Sequence, residues 1–273
     1  MGKFPFIVTM LFFLFGCTNE SIHMPNDYPK QKSDVINTHG SIENIEQLDQ
    51  FVNHVKSEKN AEVRIVHYTI EGDPILLDLA YDGKIIQAKY DNTLDQFGVG
   101  KIDKYSCESI SKIETETKTS YELDCGGQQE EILHFDYDTE QQDKFDFHLK
   151  YGFNKKNEVD TVNQKLIKDL QNGEIVAVSD FQFGRNELNQ IYKAMILANF
   201  FAEKKLTTSC NKEPHESYDL TVWINGGERH FEWSECDKSK HGLQMKKMKN
   251  DIIQVIQENE TYKSLPPVKG SYE

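Results

Sequence analysis

Apolar positions along this chain change their period several times, and each change predicts an element. An unbroken apolar run occupies residues 4–15, and residues 18–33, with Pro25 and Pro29 among polar side chains, show no period at all. Ile42, Ile45, Leu48, Val52 and Val55 then recur at spacings of 3, 3, 4 and 3, which places them on one face of an amphipathic helix. Ser41 or Asn44 would cap its start, and residues 57–60 would end it. From Val63 the period falls to two. Val63, Ile65, His67 and Thr69 alternate along a strand, residues 71–74 turn, and Ile75, Leu77, Leu79 and Tyr81 form the inward row of a second strand. Asp82-Gly83 signals a hairpin, because both central positions tolerate positive φ. A third strand runs over residues 84–90, a loop over 91–100, and three further strands over 107–114, 119–125 and 131–137. One helix followed by a meandering antiparallel sheet is α+β architecture.

Residues 138–172 are charged and read as a linker, although Phe145, Phe147, Leu149, Tyr151 and Phe153 alternate as a strand would. Beyond them the pattern resumes with a strand at 174–181, a helix carrying Leu188, Ile191, Met195 and Ala198 on one face, and a short strand at 205–210. Tyr218, Leu220, Val222 and Ile224 lead into the turn Asn225-Gly226-Gly227, and Phe231 and Trp233 mark the returning strand. A helix over 240–259 places Met245, Met248, Ile252 and Val255 on one stripe, and Leu265-Pro266-Pro267 closes the ordered part. The expected fold is therefore α+β, with two small domains at residues 34–137 and 173–268. Each would hold an antiparallel sheet, one or two packed helices and one disulfide. A flexible tether over 17–33 would precede them, the charged linker 138–172 would join them, and 269–273 would be a disordered tail. The two halves share ingredients but differ in element order, which weakens a duplication reading.

The apolar run at the start is shorter than the roughly 20 residues that a membrane-spanning helix needs, and it follows the single charge of Lys3. Residues 1–16 thus read as a signal peptide. Leu14, Gly16 and Cys17 resemble a bacterial lipobox. That resemblance implies cleavage before Cys17, diacylglycerol on its sulfur, and a lipid-anchored protein on the extracytoplasmic face of the cell membrane. An uncleaved anchor and an ordinary secretory signal are the alternatives. Further on, the residues Asn37-Thr38-His39-Gly40, Tyr68-Thr69-Ile70-Glu71-Gly72-Asp73-Pro74 and Tyr81-Asp82-Gly83, with Cys107 and Cys125, resemble an uncharacterised domain-of-unknown-function family of lipoproteins in Gram-positive bacilli. The resemblance covers about residues 34–137. It implies a fold and a location and carries no catalytic residue.

Composition narrows the partners. The 31 Lys and Arg against 45 Asp and Glu give a formal charge of −14, or −15 once Lys3 leaves with the signal. No block of basic residues offers a nucleic acid its phosphate contacts, and an anionic membrane surface would repel the chain, so the lipid would do the anchoring. Sixteen Phe and twelve Tyr are enough for folded cores. Apart from Cys17, four cysteines remain, and three pairings can be drawn among them. The local one, Cys107 with Cys125 and Cys210 with Cys236, keeps each bridge within one domain. None of the four has the close neighbour that a structural zinc site would need, and no metal or cofactor is expected.

Catalytic motifs are missing: the chain contains no GxSxG, HExxH, Walker loop or GxGxxG. His67, His134, His215 and His230 stand singly. The acidic run Asp136, Asp138, Glu140, Asp143 and Asp146 begins like a calcium loop, yet Gln141 replaces the turn glycine and Phe147 the last acid, which leaves a solvated linker. Trp223, Arg229 and Trp233 are residue types enriched at binding hot spots and form a candidate partner surface, with burial of both tryptophans under the last helix as the alternative. The expected function is a binding or interaction module for an unknown protein or envelope partner. An extracytoplasmic hydrolase with an unrecognised site and a structural envelope protein are the competing readings. Clustered ionisable groups in a cleft would favour the hydrolase; a broad apolar patch near Trp223 and Trp233 would favour binding.

Overall fold

A hairpin that the sequence pattern did not mark starts the fold. The computed structural model describes residues 28–272, and the signal run, Cys17 and its lipobox lie outside the described residues. Strands β1 (Val35–Thr38) and β2 (Ser41–Glu43) are joined by His39 and Gly40, whose φ values of 50° and 88° make the two-residue turn that suits a twisted hairpin. Helix α1 (Ile45–Lys56) follows and buries Ile45, Leu48, Phe51, Val52 and Val55, the expected stripe without its first member, since Ile42 and the candidate cap Ser41 belong to β2. Asn44 stands at its start but does not cap it through its side chain; its amide donates instead to the Asp34 carbonyl at 2.7 Å.

After α1 the chain forms β3 (Ala61–Tyr68), β4 (Pro74–Tyr81), β5 (Ile86–Asp91) and β6 (Ile102–Cys107), and the sheet order is β2-β1-β3-β4-β5-β6. Every pair is antiparallel except β1 with β3, which α1 connects as a parallel crossover. The expected single meander then divides. Strands β7 (Ser109–Glu114), β8 (Lys118–Cys125) and β9 (Gln128–Asp136) form a separate three-stranded sheet, because β6 ends its pairing with β5 at Cys107 and β7 takes β8 as its only neighbour. The Cys107–Cys125 disulfide ties the ends of β6 and β8 across that division, with Cα atoms 4.0 Å apart. Helix α1 packs against β1, β3 and β7 and so fills the angle between the two sheets.

Residues 138–172, expected to be a linker, supply half of the second sheet. Strands β10 (Phe145–Tyr151), β11 (Asn157–Asp160) and β12 (Lys165–Asp169) lie there, followed by β13 (Ile175–Ser179), α2 (Arg185–Leu197), β14 (Ser217–Ile224), β15 (Gly227–Ser234), α3 (Lys240–Glu258) and α4 (Glu260–Ser264). The order is β13-β12-β11-β10-β14-β15, all antiparallel. Phe147 and Leu149 of β10 are fully buried, and β10 sits between β11 and β14. Charge misled here because most of it belongs to the turns and the outer face, while the alternate positions are core, and Lys168, on the inward row with Leu166, is buried over the Tyr262 ring. Residues 205–210, expected as a strand, form none; the segment is held by side-chain bonds, such as Asp237 accepting from the Thr207 amide at 2.9 Å.

Both ends of the described chain are docked, against expectation. Tyr28, placed in the tether, is buried against Val66 and Leu76. In the tail, the Lys269 and Gly270 amides donate to the Leu170 carbonyl, and the Tyr272 hydroxyl donates to Asp169 at 2.7 Å. A side chain at Gly270 would meet the Gln171 carbonyl oxygen at 2.2 Å, so only glycine permits that approach.

Helices α2 and α3 cover the inner face of the second sheet, with the Tyr192 ring 5.0 Å from Phe145 and the Lys249 ammonium 4.8 Å from the Tyr218 ring. The protein is thus α+β, with antiparallel sheets, few helices and one disulfide in each half. One continuous buried cluster nevertheless runs from Val35 to Ile256. Polar contacts cross the boundary as well: Asn199 accepts from the Ser41 hydroxyl, and Asn189 donates to the Glu116 carbonyl and accepts from Thr139. No helix among the described residues is long and apolar enough to cross a membrane.

Candidate functional site

Where the two halves meet, four elements enclose a cleft of about 800 Å³. The start of α1 supplies Ile45, Glu46 and Asp49; the three-stranded sheet supplies Lys112, Glu114, Tyr121 and Phe135; α2 supplies Lys193, Ala194, Leu197 and Ala198; α3 supplies Lys240, Leu243, Lys247, Met248 and Asp251. Helix periodicity explains the last two sets. On α3 the row of Met245, Lys249 and Ile252 is buried, with Lys249 over the Tyr218 ring of the second sheet, and the neighbouring stripe of Leu243 and Lys247 is left facing the cleft. The floor is apolar: Tyr121, Phe135, Ala194, Ala198 and Met248 are all buried, while Leu243 remains 51% exposed. A second hollow of about 610 Å³ shares Glu114, Lys193, Ala194, Leu197 and Asp251 with the first, so together they form one elongated groove.

Ionisable groups cluster at the rim and neutralise one another. Lys112 Nζ lies 3.0 Å from Asp49 Oδ1 and 2.9 Å from Glu114 Oε1; Lys193 approaches Glu114 Oε2 at 3.3 Å, and Lys247 approaches Asp251 at 3.1 Å. Tyr121 donates its hydroxyl to Asp49 at 2.7 Å, and burial together with that carboxylate raises its pKa far above the ordinary tyrosine value. Burial pushes the Glu114 carboxyl up, but Lys112 and Lys193 outweigh it and hold it below the usual value. For Lys112 burial disfavours the charge, and the bonds from Glu114 and Asp49 more than restore it, so its pKa is raised. The cleft counts four acids, Glu46, Asp49, Glu114 and Asp251, and four lysines, Lys112, Lys193, Lys240 and Lys247. The larger cleft is therefore balanced, while the adjoining hollow adds Glu116 and Glu258 and leaves the elongated groove two acids in excess.

A general acid needs a carboxyl with a raised pKa, whereas Glu114 is held ionised. Among the described residues lining the cleft there is no histidine, cysteine or serine to serve as nucleophile or base. An ionisable cluster of the kind expected of a hydrolase is present, with Lys112, Lys193 and Lys247 paired to Asp49, Glu114 and Asp251.

The residues singled out from the sequence are distributed otherwise. Cys107 bonds to Cys125 and Cys210 to Cys236, the local pairing. Trp223, Arg229 and Trp233 do not converge. Trp233 is 1% exposed on the inner face, its ring 5.1 Å from Tyr218. Trp223 lies on the opposite face and donates its indole N–H to Glu228 at 2.8 Å. Arg229 is exposed and pairs in register with Val222, in the row that the inner face shares. No broad apolar patch joins them. Asp138 and Glu140, from the acidic run, instead pair with Arg185 at 3.0 Å each, and Asp138 caps a 3-10 turn over Thr139–Gln141.

Strand pairing also gathers groups that sequence spacing kept apart. His148, Glu158 and Asp160 converge across β10 and β11, and Asp219, His230 and Glu232 across β14 and β15. Each set carries its own lysine: Lys165 lies 3.1 Å from Glu158, and Lys155 lies 3.4 Å from Asp219 and 2.6 Å from Glu232. These are ion-pair networks on the outer face of the sheet. The cleft residues were missed altogether, since nothing in the local pattern of Asp49, Lys112, Lys193 or Leu243 shows that four distant elements meet.

No curated protein and no solved structure matches the chain. A domain of unknown function, DUF4362, is found over residues 32–122, from just before β1 into β8, and it contributes Asp49, Lys112, Glu114 and Tyr121 to the groove.

Proposed function

We propose that this protein is a lipoprotein of the Gram-positive type, anchored at the extracytoplasmic face through diacylglycerol on Cys17, and that it works by binding an uncharged, largely apolar segment of an envelope protein in the groove between its halves. The observation that carries the binding reading is the composition of the larger cleft within that groove: an apolar floor, an exposed Leu243 and four acids balanced by four lysines. Ligand sites favour such concave junctions between units, with few polar groups to fix orientation. The elongated outline suits an extended or helical polypeptide segment better than a compact molecule. The two disulfides support the exported location, because such bonds persist in oxidising compartments.

Site-specific photocrosslinking in intact cells tests the groove. A photoreactive residue at position 243 should capture a discrete envelope protein, while the same residue at position 162, which is exposed outside the groove, should not. Equal capture at both positions, or none at 243, ends the groove reading. Fractionating cells that carry Cys17→Ala tests the anchor: the variant should leave the membrane fraction.

A further inference from the structure

The three most exposed large apolar side chains among the described residues are Val99 at 93%, Ile70 at 89% and Phe97 at 78%. They belong to two loops, the connection from β3 to β4 and the connection from β5 to β6. In an antiparallel meander alternate connections fall at the same end of the sheet, so both loops project from one end. A hydrogen bond between them confirms it: the Gln96 amide donates to Asp73 Oδ2 at 2.9 Å. Each loop is also fixed internally. The Thr69 amide donates to the Asp73 carbonyl at 2.9 Å, and Asp95 accepts from the Phe97 and Gly98 amides at 3.0 Å. The apolar side chains are thus held outward by a built framework, with the carboxylates of Asp73 and Asp95 turned back into it.

The place where the chain enters the fold lies at this same end. Tyr28 packs against Val66, Tyr68, Leu76 and Leu94, the residues that flank the two loops. From Cys17 to Tyr28 is eleven residues (28 − 17), a span of at most about 40 Å when fully extended. A lipid on Cys17 therefore keeps this end, more than any other, close to the bilayer, and such tethering raises the effective concentration of a weak second contact.

We propose that the two-loop tip carrying Ile70, Phe97 and Val99 inserts those side chains into the lipid surface beside the anchor, so that the protein has a fixed orientation on the membrane. This rests on the reading of Cys17 as the lipidated residue. The contact is apolar, since Glu71 and the ion-paired Lys101 and Asp103 nearby give an anionic headgroup nothing to gain.

The test uses the full lipidated chain in phosphatidylcholine vesicles whose acyl chains do or do not carry bromine, a short-range quencher of tryptophan. The emission that Phe97→Trp adds to that of the parent protein, which keeps Trp223 and Trp233, should fall by half or more in the brominated vesicles, and the emission that Val162→Trp adds should not change. Equal quenching at 97 and 162 overturns the proposal, and so does an unquenched tryptophan at 97. Flotation with the vesicles is scored separately: flotation without quenching retires the tip and leaves the anchor standing, whereas a chain that neither floats nor is quenched retires both. One more result would also overturn it. If the double variant Ile70→Ser, Val99→Ser lowers the sedimenting mass of the protein in the absence of vesicles, the tip is a contact between two copies.

Discussion

Half of each six-stranded sheet was visible in the sequence, and the contrast between the ways the other halves were hidden shows what sequence order can and cannot reveal. In the first sheet β3, β4 and β5 pair in chain order, so a run of alternations and turns reproduces those three strands, while β1, β2 and β6 were not marked. The second sheet closes at its centre by a pairing across α2, with Leu149 of β10 opposite Leu220 of β14. Local turn chemistry marks hairpins: Asn225 and Gly226, at φ of 48° and 79°, make the connection from β14 to β15 that their residue types announce. Nothing local marks β10 as a central strand, and the charges around it favoured a linker. A clean alternation with no neighbour in view is better taken as a strand whose partner lies far along the chain.

The largest test of that contrast is whether the halves unfold together. Phe147→Ala removes a fully buried ring from β10 and should cost about 3–5 kcal/mol. Leu79→Ala, in the first sheet, should cost about 2–5 kcal/mol. Since the buried cluster is continuous, either change should move one shared thermal transition. Two resolved transitions, with only one of them moved, would break the shared-core description and restore two independent domains.

A smaller effect concerns the segment before β14, where side-chain bonds replace a ladder. Burial pushes the Asp237 carboxyl up, but the Ser239 hydroxyl and the Thr207 and Ser239 amides outweigh it and hold it below the ordinary value. A carboxyl depressed in the folded state stabilises above its unfolded value of about 4, and the contribution is lost as pH falls through the folded value. The difference in Tm between the parent and Asp237→Asn should therefore be greatest near neutrality and shrink below about pH 4. A difference independent of pH would place the loss in packing instead of charge.

Lys249 sets the smallest expectation and the opposite sign. It is buried, its nearest carboxylate is Glu216 at 4.0 Å, and burial lowers its pKa. The penalty for a buried base applies below its folded value and fades as pH rises toward the unfolded one. Lys249→Met should raise stability by about 1 kcal/mol near neutral pH, read from urea midpoints, and the gain should diminish in alkaline buffer. A loss would mean that Glu216 and the Tyr218 ring hold the charge better than their distances suggest.

Much of the architecture was legible: the stripe of α1, the Met245 and Ile252 stripe of α3, both bridges and the β14 to β15 hairpin. The groove was not. Asp49, Lys112, Lys193 and Leu243 each lie on the exposed side of an otherwise well-read element, where polar and apolar residues carry no periodic constraint. Their meeting depends on how four elements dock, and docking is written in the complementarity of buried faces, not in the positions left outside them. Trp233 is core, the alternative weighed for both tryptophans, whereas Trp223 is not. Both sit in one hairpin, but their places in the register put them on opposite faces.

The Cys107–Cys125 bridge bears on how this architecture can be inherited. The recurring domain matches as far as residue 122, inside β8 and short of Cys125, while β9 lies wholly beyond it. A gene segment copied at that edge would deliver a cysteine without its mate and a strand with one flank bare. A piece that keeps the bridge must extend through Cys125, and one that also flanks β8 on both sides must extend through Asp136, the end of β9, so the structural unit is longer than the matched stretch.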